Sequence, residues 1–489
     1  MNQKRCALKT LCVAWQLINW RAVTQKVKSL QQRIVKALKE GRHNKVRALQ
    51  WLLTHSFAAK LLAIKRVTEN KGKNTAGVDR VLWDTPTKKL DAAKSLRRKG
   101  YKAKPLKRVY ILKKNGKKRP LGIPTMKDRA MQALYLMALD PVAEATADSC
   151  SYGFRPRRCC ADAVARCFIH LARQNSATWV LEGDIKGCFD HINHQWLLEN
   201  IPLDKVVFKQ WLKAGFIDNR HLFPTEEGTP QGGIISPVLA NMTLDGLQTV
   251  INKTLNIKTD KGDGRRQNKH KVHLVRYADD FIVTGDSPEL LTETVKPLIE
   301  KFLAERGLML SQEKTHITCI DKGFDFLGQN IRKYNGTLLI KPTKASLKSV
   351  AAKVKEIVRT NKATSPARLI AQLNPIIRGW CNYHRHVASG NTFPKLDRYM
   401  WLILWNWALH RHPNKSHTWI RHNYFKTVGK NNWVFSGSDE KGRQMNLYKA
   451  SHTRISRHRM IMGDANPYDE SWQEYFTKRS KPTGYKLSK

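Results

Sequence analysis

The sequence predicts an α+β protein built from segregated helices and antiparallel hairpins. Three observations carry that expectation: helical periodicity before residue 70 and again from Lys344 to about Phe425, a basic hairpin pattern near residue 115, and two apolar strand patterns that end or break at aspartates. The order of helices, hairpin, helices, strand, helix and hairpin lacks the regular strand–helix alternation of a doubly wound parallel sheet.

Taken in order, residues 24 to 70 read as two basic amphipathic helices. Leu30, Ile34 and Leu38 precede a break at Gly41, and Val46, Leu49, Leu53 and Phe57 follow it at helical spacing, with Lys and Arg on the other faces. The loop NKGKNTAGVDR (70 to 80) leads to a basic stretch from Lys88 to Arg119. That stretch ends in a hairpin whose strands, Arg108-Val-Tyr-Ile-Leu and Arg119-Pro-Leu-Gly-Ile, flank the turn Lys113-Lys-Asn-Gly-Lys-Lys. Helices follow at 127 to 147 and 161 to 174. The strand patterns are Thr178 to Ile185, containing Asp184, and His273 to Thr284, interrupted by Ala278-Asp279-Asp280. Helical patterning returns at Lys344 and is rich in Trp; Trp401, Leu404, Trp405 and Ala408 fall on one apolar face. The last 60 or so residues are basic, His-rich and turn-rich.

Composition narrows the class of partner. The chain carries 88 Lys and Arg against 39 Asp and Glu, a formal charge of +49, on an ordinary 41% hydrophobic content. Its 489 residues allow a real core and roughly two to four domains, so it is no disordered basic tail. Self-repulsion of that charge destabilises the compact state, and a polyanionic partner offsets it. Nucleic acid comes first; a membrane surface is weaker, because the longest apolar-rich run, Tyr399 to Leu409, is about half the ~20 residues a spanning helix needs. The N-terminus does not read as a secretory signal. Nine cysteines, an odd number without a Cys-x-x-Cys pair, exclude a disulfide framework or zinc ribbon and agree with a cytoplasmic or organellar setting. His384-x-His386 invites a metal reading, but no third or fourth ligand is evident in the sequence.

In so basic a chain, carboxylates at strand ends with apolar flanks need a reason. Asp184 follows the strand WVLE, and Asp279-Asp280 sit between two half-strands. Adjacent strand residues point to opposite faces, so only a tight turn at 278 to 280 lets both carboxylates approach one site. Three such carboxylates and phosphate oxygens suit Mg²⁺, and two ions about 3.5 to 4 Å apart serve in-line phosphoryl displacement. Asp-Asp in a hairpin is by itself more often a solvated turn.

The combination resembles a known family. Tyr277-Ala-Asp-Asp280 between apolar strands, together with Asp184 to Phe189, is similar to the catalytic signatures of reverse transcriptases. NKGKNTAGVD (70 to 79), RPLGIPTMKDRAMQ (119 to 132), SYGFRP (151 to 156), TPQGGIISPVLANMTL (229 to 244), RGLMLSQEKT (306 to 315) and FDFLG (324 to 328) follow in family order. The set resembles the reverse transcriptases encoded by group II introns and spans about residues 20 to 425.

The resemblance implies a right-hand polymerase: an N-terminal helical RNA-binding extension (1 to 75), fingers and palm (76 to 340), a helical thumb or maturase X domain (341 to 425) and a basic DNA-binding segment (426 to 489). It implies that Asp184, Asp279 and Asp280, with the Ile185 carbonyl, hold two Mg²⁺ ions. Phe189 is then the residue that collides with a 2′-hydroxyl, where without the motif it reads as a core aromatic. Gln231 lies in a loop whose glycines permit close approach to the nucleotide. Lys113 and Arg119 would clamp the triphosphate, with Lys114 and Lys117 competing for the lysine role. Lys314 is either beside the primer end or a solvated turn lysine. The implied activity is RNA-directed DNA synthesis by a protein that binds its group II intron RNA, assists its splicing and copies it into DNA. Its partners would be that RNA, an RNA template, a DNA primer or target, and dNTPs, with no membrane. The segment 465 to 476 resembles the boundary at which relatives continue into an HNH endonuclease, a domain not expected in this chain. The alternatives are a splicing factor with an idle polymerase site, or a reverse transcriptase recruited to host defence or repair.

Overall fold

The computed structural model describes residues 15–112, 116, 118–257 and 268–480. The chain divides into two compact units: one of residues up to Cys159, Leu181–Ile317 and Ile461 onward, the other of Cys160–Val180 and Thr318–Met460.

The first unit opens with helices Trp20–Lys39, His43–His55 and Phe57–Glu69. Asn19 caps the first, its side chain accepting the Ala22 N–H at 3.0 Å. Where periodicity predicts two helices there are three, because Ser56 adopts an extended backbone (φ −64°, ψ 128°) and redirects the chain. Val46, Leu49 and Leu53 are buried as expected. Phe57, expected to continue their face, is instead 49% exposed, and Ala58, Ala59 and Leu61 turn inward after the break. All three helices pack on the helix Met126–Thr146, which is buried on nearly every side as the central rod of this unit. Arg129 from that rod fastens the 70–80 loop, donating to the Gly72 carbonyl at 3.1 Å and to the Thr75 carbonyl. Gly77 is required there, since a Cβ would lie 2.6 Å from Thr125 Cα.

The basic hairpin is β1 (Leu106–Leu112) and β2 (Lys118–Ile123), paired antiparallel with Ile111 opposite Arg119. Strand β3 is Trp179–Asp184, and the short strands β4 (Phe216–Asp218) and β5 (His221–Phe223) extend the hairpin into a sheet of order β2-β1-β4-β5. Strands β6 (His273–Tyr277), β7 (Asp280–Gly285) and β8 (His316–Cys319) join β3 in the order β6-β7-β3-β8.

In the second unit, β9 (Phe324–Phe326), β10 (Gln329–Tyr334) and β11 (Thr337–Pro342) form an antiparallel meander. Four helices follow, Lys344–Thr360, Pro366–His384, Phe393–Arg411 and His417–Tyr424. Their core holds Val350, Val354, Leu373, Ile377, Met400 and Leu404, at the three- and four-residue spacing of inward helix faces. On the third of these helices Leu404 and Ala408 are buried, while Trp401 and Trp405 flank the core, stacked at 5.5 Å; Trp407 is the buried indole. The helices do not end the unit. Strands β12 (Phe425–Val428), β13 (Asn431–Ser438) and β14 (Gln444–Asn446) continue from them, and Phe435 and Ala450 belong to the same core. The described part of residues 426–489 is thus divided between the units at Met460. The strands are too short and too interrupted by Lys and Asn to register as a period-2 pattern.

Candidate functional site

The acidic site stands where β3 ends beside the β6–β7 hairpin. Tyr277 pairs with Asp280, leaving Ala278 and Asp279 as a two-residue turn, with Ala278 in the left-handed region at φ 58°. Since β7 neighbours β3, this turn brings Asp279 and Asp280 to Asp184 at the end of β3. Close approach of the strands depends on Gly183, where a Cβ would stand 2.2 Å from the Phe281 ring. Leu310 bridges Ile185, but the bonds run from Ser311 N–H to the Asp184 carbonyl (2.8 Å) and from Lys186 N–H to the Met309 carbonyl (3.0 Å). The Ile185 carbonyl lies outside that pair of bonds.

The electrostatics are those of crowded acids. Burial and the neighbouring Asp184 push Asp279 above the ordinary carboxyl range. Partial burial, then the charges of Asp279 and Asp184, push Asp280 up to about 7. The opposing cations are Lys314, whose Nζ is 2.7 Å from Asp184 Oδ2, and Arg119, which acts on Asp279. Hydrogen bonding to Asp184 raises Lys314 and keeps it protonated. An all-oxygen donor set whose members repel one another fits a hard divalent cation.

The SYGFRP segment forms the underside. Tyr152 N–H donates to the Arg276 carbonyl at 2.9 Å, and Arg276 N–H to the Cys150 carbonyl at 3.0 Å. A Cβ at Gly153 would meet the Ala278 nitrogen at 2.4 Å, so the tightness of the turn depends on this glycine. Arg155 makes two bonds to Glu144, at 2.9 and 2.7 Å, and others to the Asp148 and Ser151 carbonyls. Wholly buried Arg276 pairs with Asp245. These arginines hold the scaffold together from within.

Phe189, one turn past β3, is half-buried and meets Phe154 edge-to-face at 6.4 Å. Gln231 donates to both Asp190 oxygens, at 3.2 and 3.3 Å, and its carbonyl accepts the Gly122 N–H at 2.8 Å. The glycines beside Gln231 serve contacts within the protein: a Cβ at Gly232 would lie 2.8 Å from the Gly122 carbonyl oxygen, and one at Gly233 2.6 Å from Ser236 Oγ. The Gly232 backbone thus lies close against β2. A cavity of about 510 Å³ opens against Phe189, Asp190 and Gln231, with Arg108, Tyr110 and Pro120 opposite. Arg119 is exposed on β2; Lys113, with Lys114 and Lys117, lies outside the described residues. Phe154 and Asp190 are the site residues that motif reading passed over. His384, the first member of the His-x-His motif, is taken up by Gln329 (2.9 Å) and Ser346 Oγ (3.0 Å).

Comparison with known proteins adds an independent line. Residues 111–331 match the family model of reverse transcriptase (RNA-dependent DNA polymerase), residues 15–96 that of the N-terminal domain of reverse transcriptase, and residues 347–425 that of the group II intron maturase-specific domain. The group II intron-encoded protein LtrA of Lactococcus lactis subsp. cremoris is 32% identical over 338 residues, covering 57% of this chain and 55% of that protein. Protein YkfC of Escherichia coli (strain K12) is 33% identical over 301 residues, 54% of this chain and 78% of that one. A 91 kDa protein in the cob intron of Schizosaccharomyces pombe is 28% identical over 415 residues, 68% and 50% of the two chains. The alignment thus spans about half the length of LtrA.

Proposed function

The chain belongs to the family of group II intron-encoded reverse transcriptases and maturases, and on that premise we propose that it is an RNA-directed DNA polymerase that binds its group II intron RNA, assists its splicing and copies it into DNA. The fold is the right-hand polymerase class, α+β. Divalent cations are used generally in such enzymes; the finer reading is that two Mg²⁺ ions are held by Asp184, Asp279, Asp280 and the Ile185 carbonyl. The observation that carries it is the meeting of the three carboxyls at the β3 end and the 278–279 turn, with Asp280 raised by burial and then by its neighbours. When bound, the ions supply charge stabilisation to the attacking and leaving oxygens of a phosphoryl displacement.

The protein's residues do the rest. Phe189, held against Phe154, fills the space a 2′-hydroxyl would need and selects deoxynucleotides. Gln231, fixed by Asp190 and by its carbonyl bond to Gly122, shapes the nucleotide's floor. Arg119 and Lys113 bind the triphosphate, the guanidinium in bidentate fashion. Lys314 neutralises Asp184 while the cations are away. The 510 Å³ cavity beside Phe189 has the size of a nucleotide-scale site. The maturase-specific segment 347–425 and the +49 charge support the RNA-binding half, in which duplex and folded RNA are gripped by backbone and shape. No helix among the described residues is long and apolar enough to cross a membrane. The experiment is primer extension by the purified chain. With Mg²⁺ it should extend a DNA primer on an RNA template and stop when the metal is chelated; failure to extend with Mg²⁺ present would overturn the polymerase half.

A further inference from the structure

The second unit carries an aromatic surface that its core does not consume. On the helix Phe393–Arg411, Trp401 and Trp405 stack one turn apart at 5.5 Å, and neither is fully buried. Trp433 of β13 closes on both, at 6.1 and 5.8 Å, and lies 6.4 Å from the buried Phe425, yet it stays 40% exposed. Its backbone is unusual. Lys426 pairs with Val434 and Val428 with Asn431, so Asn432 and Trp433 face the single residue Thr427 in a bulge. Trp433 is left-handed there, at φ 61°, a conformation that glycine adopts freely and a bulky side chain rarely does. Burying the ring would offset such strain; here much of the residue remains in water, so the offset is incomplete and a ligand would complete it.

The rim of this surface is basic. The Arg421 guanidinium lies over the Trp433 ring at 4.9 Å. Arg398, three residues before Trp401 on the same helix, and Lys426 beside the bulge are exposed. From residue 391 to 438 the chain has seven Lys and Arg and one acid, Asp397, whose carboxylate accepts the Ala450 and Ser451 N–H groups at 2.6 and 3.0 Å. An apolar protein partner would meet this rim of cations, and an acidic one would leave the indoles unmatched; a nucleotide matches both, its base stacking on the rings and its phosphate meeting the cations. We propose that Trp433, backed by Trp401 and Trp405, is a stacking platform for an unpaired base of bound RNA, with Arg398, Arg421 and Lys426 serving the flanking phosphates. The inference rests on the RNA-binding reading above and adds a second mode to it. Charge grips duplex through backbone and shape, whereas an exposed indole takes a base that has left its helix. Trp433 lies outside the segment that matches the maturase-specific model, which ends at residue 425.

The test uses the full chain and an unstructured RNA of about 12 nucleotides carrying 5-iodouridine, which joins photochemically to an aromatic ring stacked on it. Peptide mass spectrometry should place the attachment at Trp433, Trp401 or Trp405, and the attachment should vanish when the strand is annealed to its complement, because a paired base stays within its stack. Trp433→Gly removes the ring where the backbone already suits glycine. It should bind the single strand about fivefold or more weakly with an unchanged slope of affinity against salt, and Trp433→Phe should recover most of the loss. Attachment confined to other segments while the RNA binds, or an unchanged affinity in Trp433→Gly, would overturn the platform and leave RNA binding standing. Wild type that binds no RNA would overturn the reading beneath it as well. Should Trp433→Gly fold poorly, the mapping in wild type decides alone.

Discussion

Phe189 and Gly183 illustrate what single residues can and cannot announce. The aspartates were legible only in combination: Asp-Asp in a hairpin is by itself more often a solvated turn, but with Asp184 at a second strand end a tight turn would join all three, and the structure brings them together. Phe154 was not legible: it comes from 35 residues upstream of Phe189, and its left-handed backbone (φ 56°) aims it there only in the folded chain. Gly183 reads as an ordinary strand glycine until Phe281 of the neighbouring strand is seen to occupy the space of its Cβ. The gate proposed for Phe189 makes a sharp prediction. Phe189→Ala should raise ribonucleotide incorporation by roughly tenfold or more, since filling or vacating a methylene-sized pocket is worth about 1–3 kcal/mol. It is read as the ratio of dNTP to rNTP efficiency on one template; an unchanged ratio would assign Phe189 to packing alone.

Elements were legible where period and punctuation agreed. The β1–β2 and β6–β7 hairpins and the helix Met126–Thr146 fall within two residues of their expected bounds. The break at Ser56 escaped because the apolar spacing runs through it unbroken, and strands β12 to β14 escaped because their inward residues, Phe425, Val434 and Phe435, do not alternate over a long enough run. The central rod also stores a pH dependence. Burial pushes Asp140 up to about 6, although the Tyr468 hydroxyl donates to it at 3.1 Å. A carboxyl raised in the fold above its unfolded value is favoured protonated, so this site weakens the fold progressively as pH rises from about 4 to about 6, with the full penalty above that. Asp140→Asn keeps an acceptor for Tyr468 and carries no charge. It should therefore be more stable than wild type at pH 7.5 by about 1–3 kcal/mol, with the gap closing as pH falls toward 4. Denaturant midpoints across that range check this; a gap independent of pH would place its cause elsewhere.

At the scale of the molecule, the charge of +49 bounded the partner class but not the chemistry. Chemistry came from acids that are few against 88 basic residues, with Arg119 and Lys314 the cations beside them. Binding to RNA should be dominated by phosphate contacts. About 6 to 10 of them imply a loss of roughly 10³ to 10⁵ in affinity between 50 and 200 mM salt, measured by filter binding or anisotropy; a flat salt response would contradict an electrostatic grip. The central claim is that the carboxylates at the β3 end and the 278–279 turn perform the polymerisation while other surfaces hold RNA. Asp279→Asn tests it most directly, in DNA-primer extension on an RNA template with RNA binding followed in the same preparation. Extension should fall by about 10² to 10³-fold, as the loss of several kcal/mol of charge stabilisation requires, with RNA affinity kept within about threefold. Extension that survives the substitution at its wild-type rate would contradict the account.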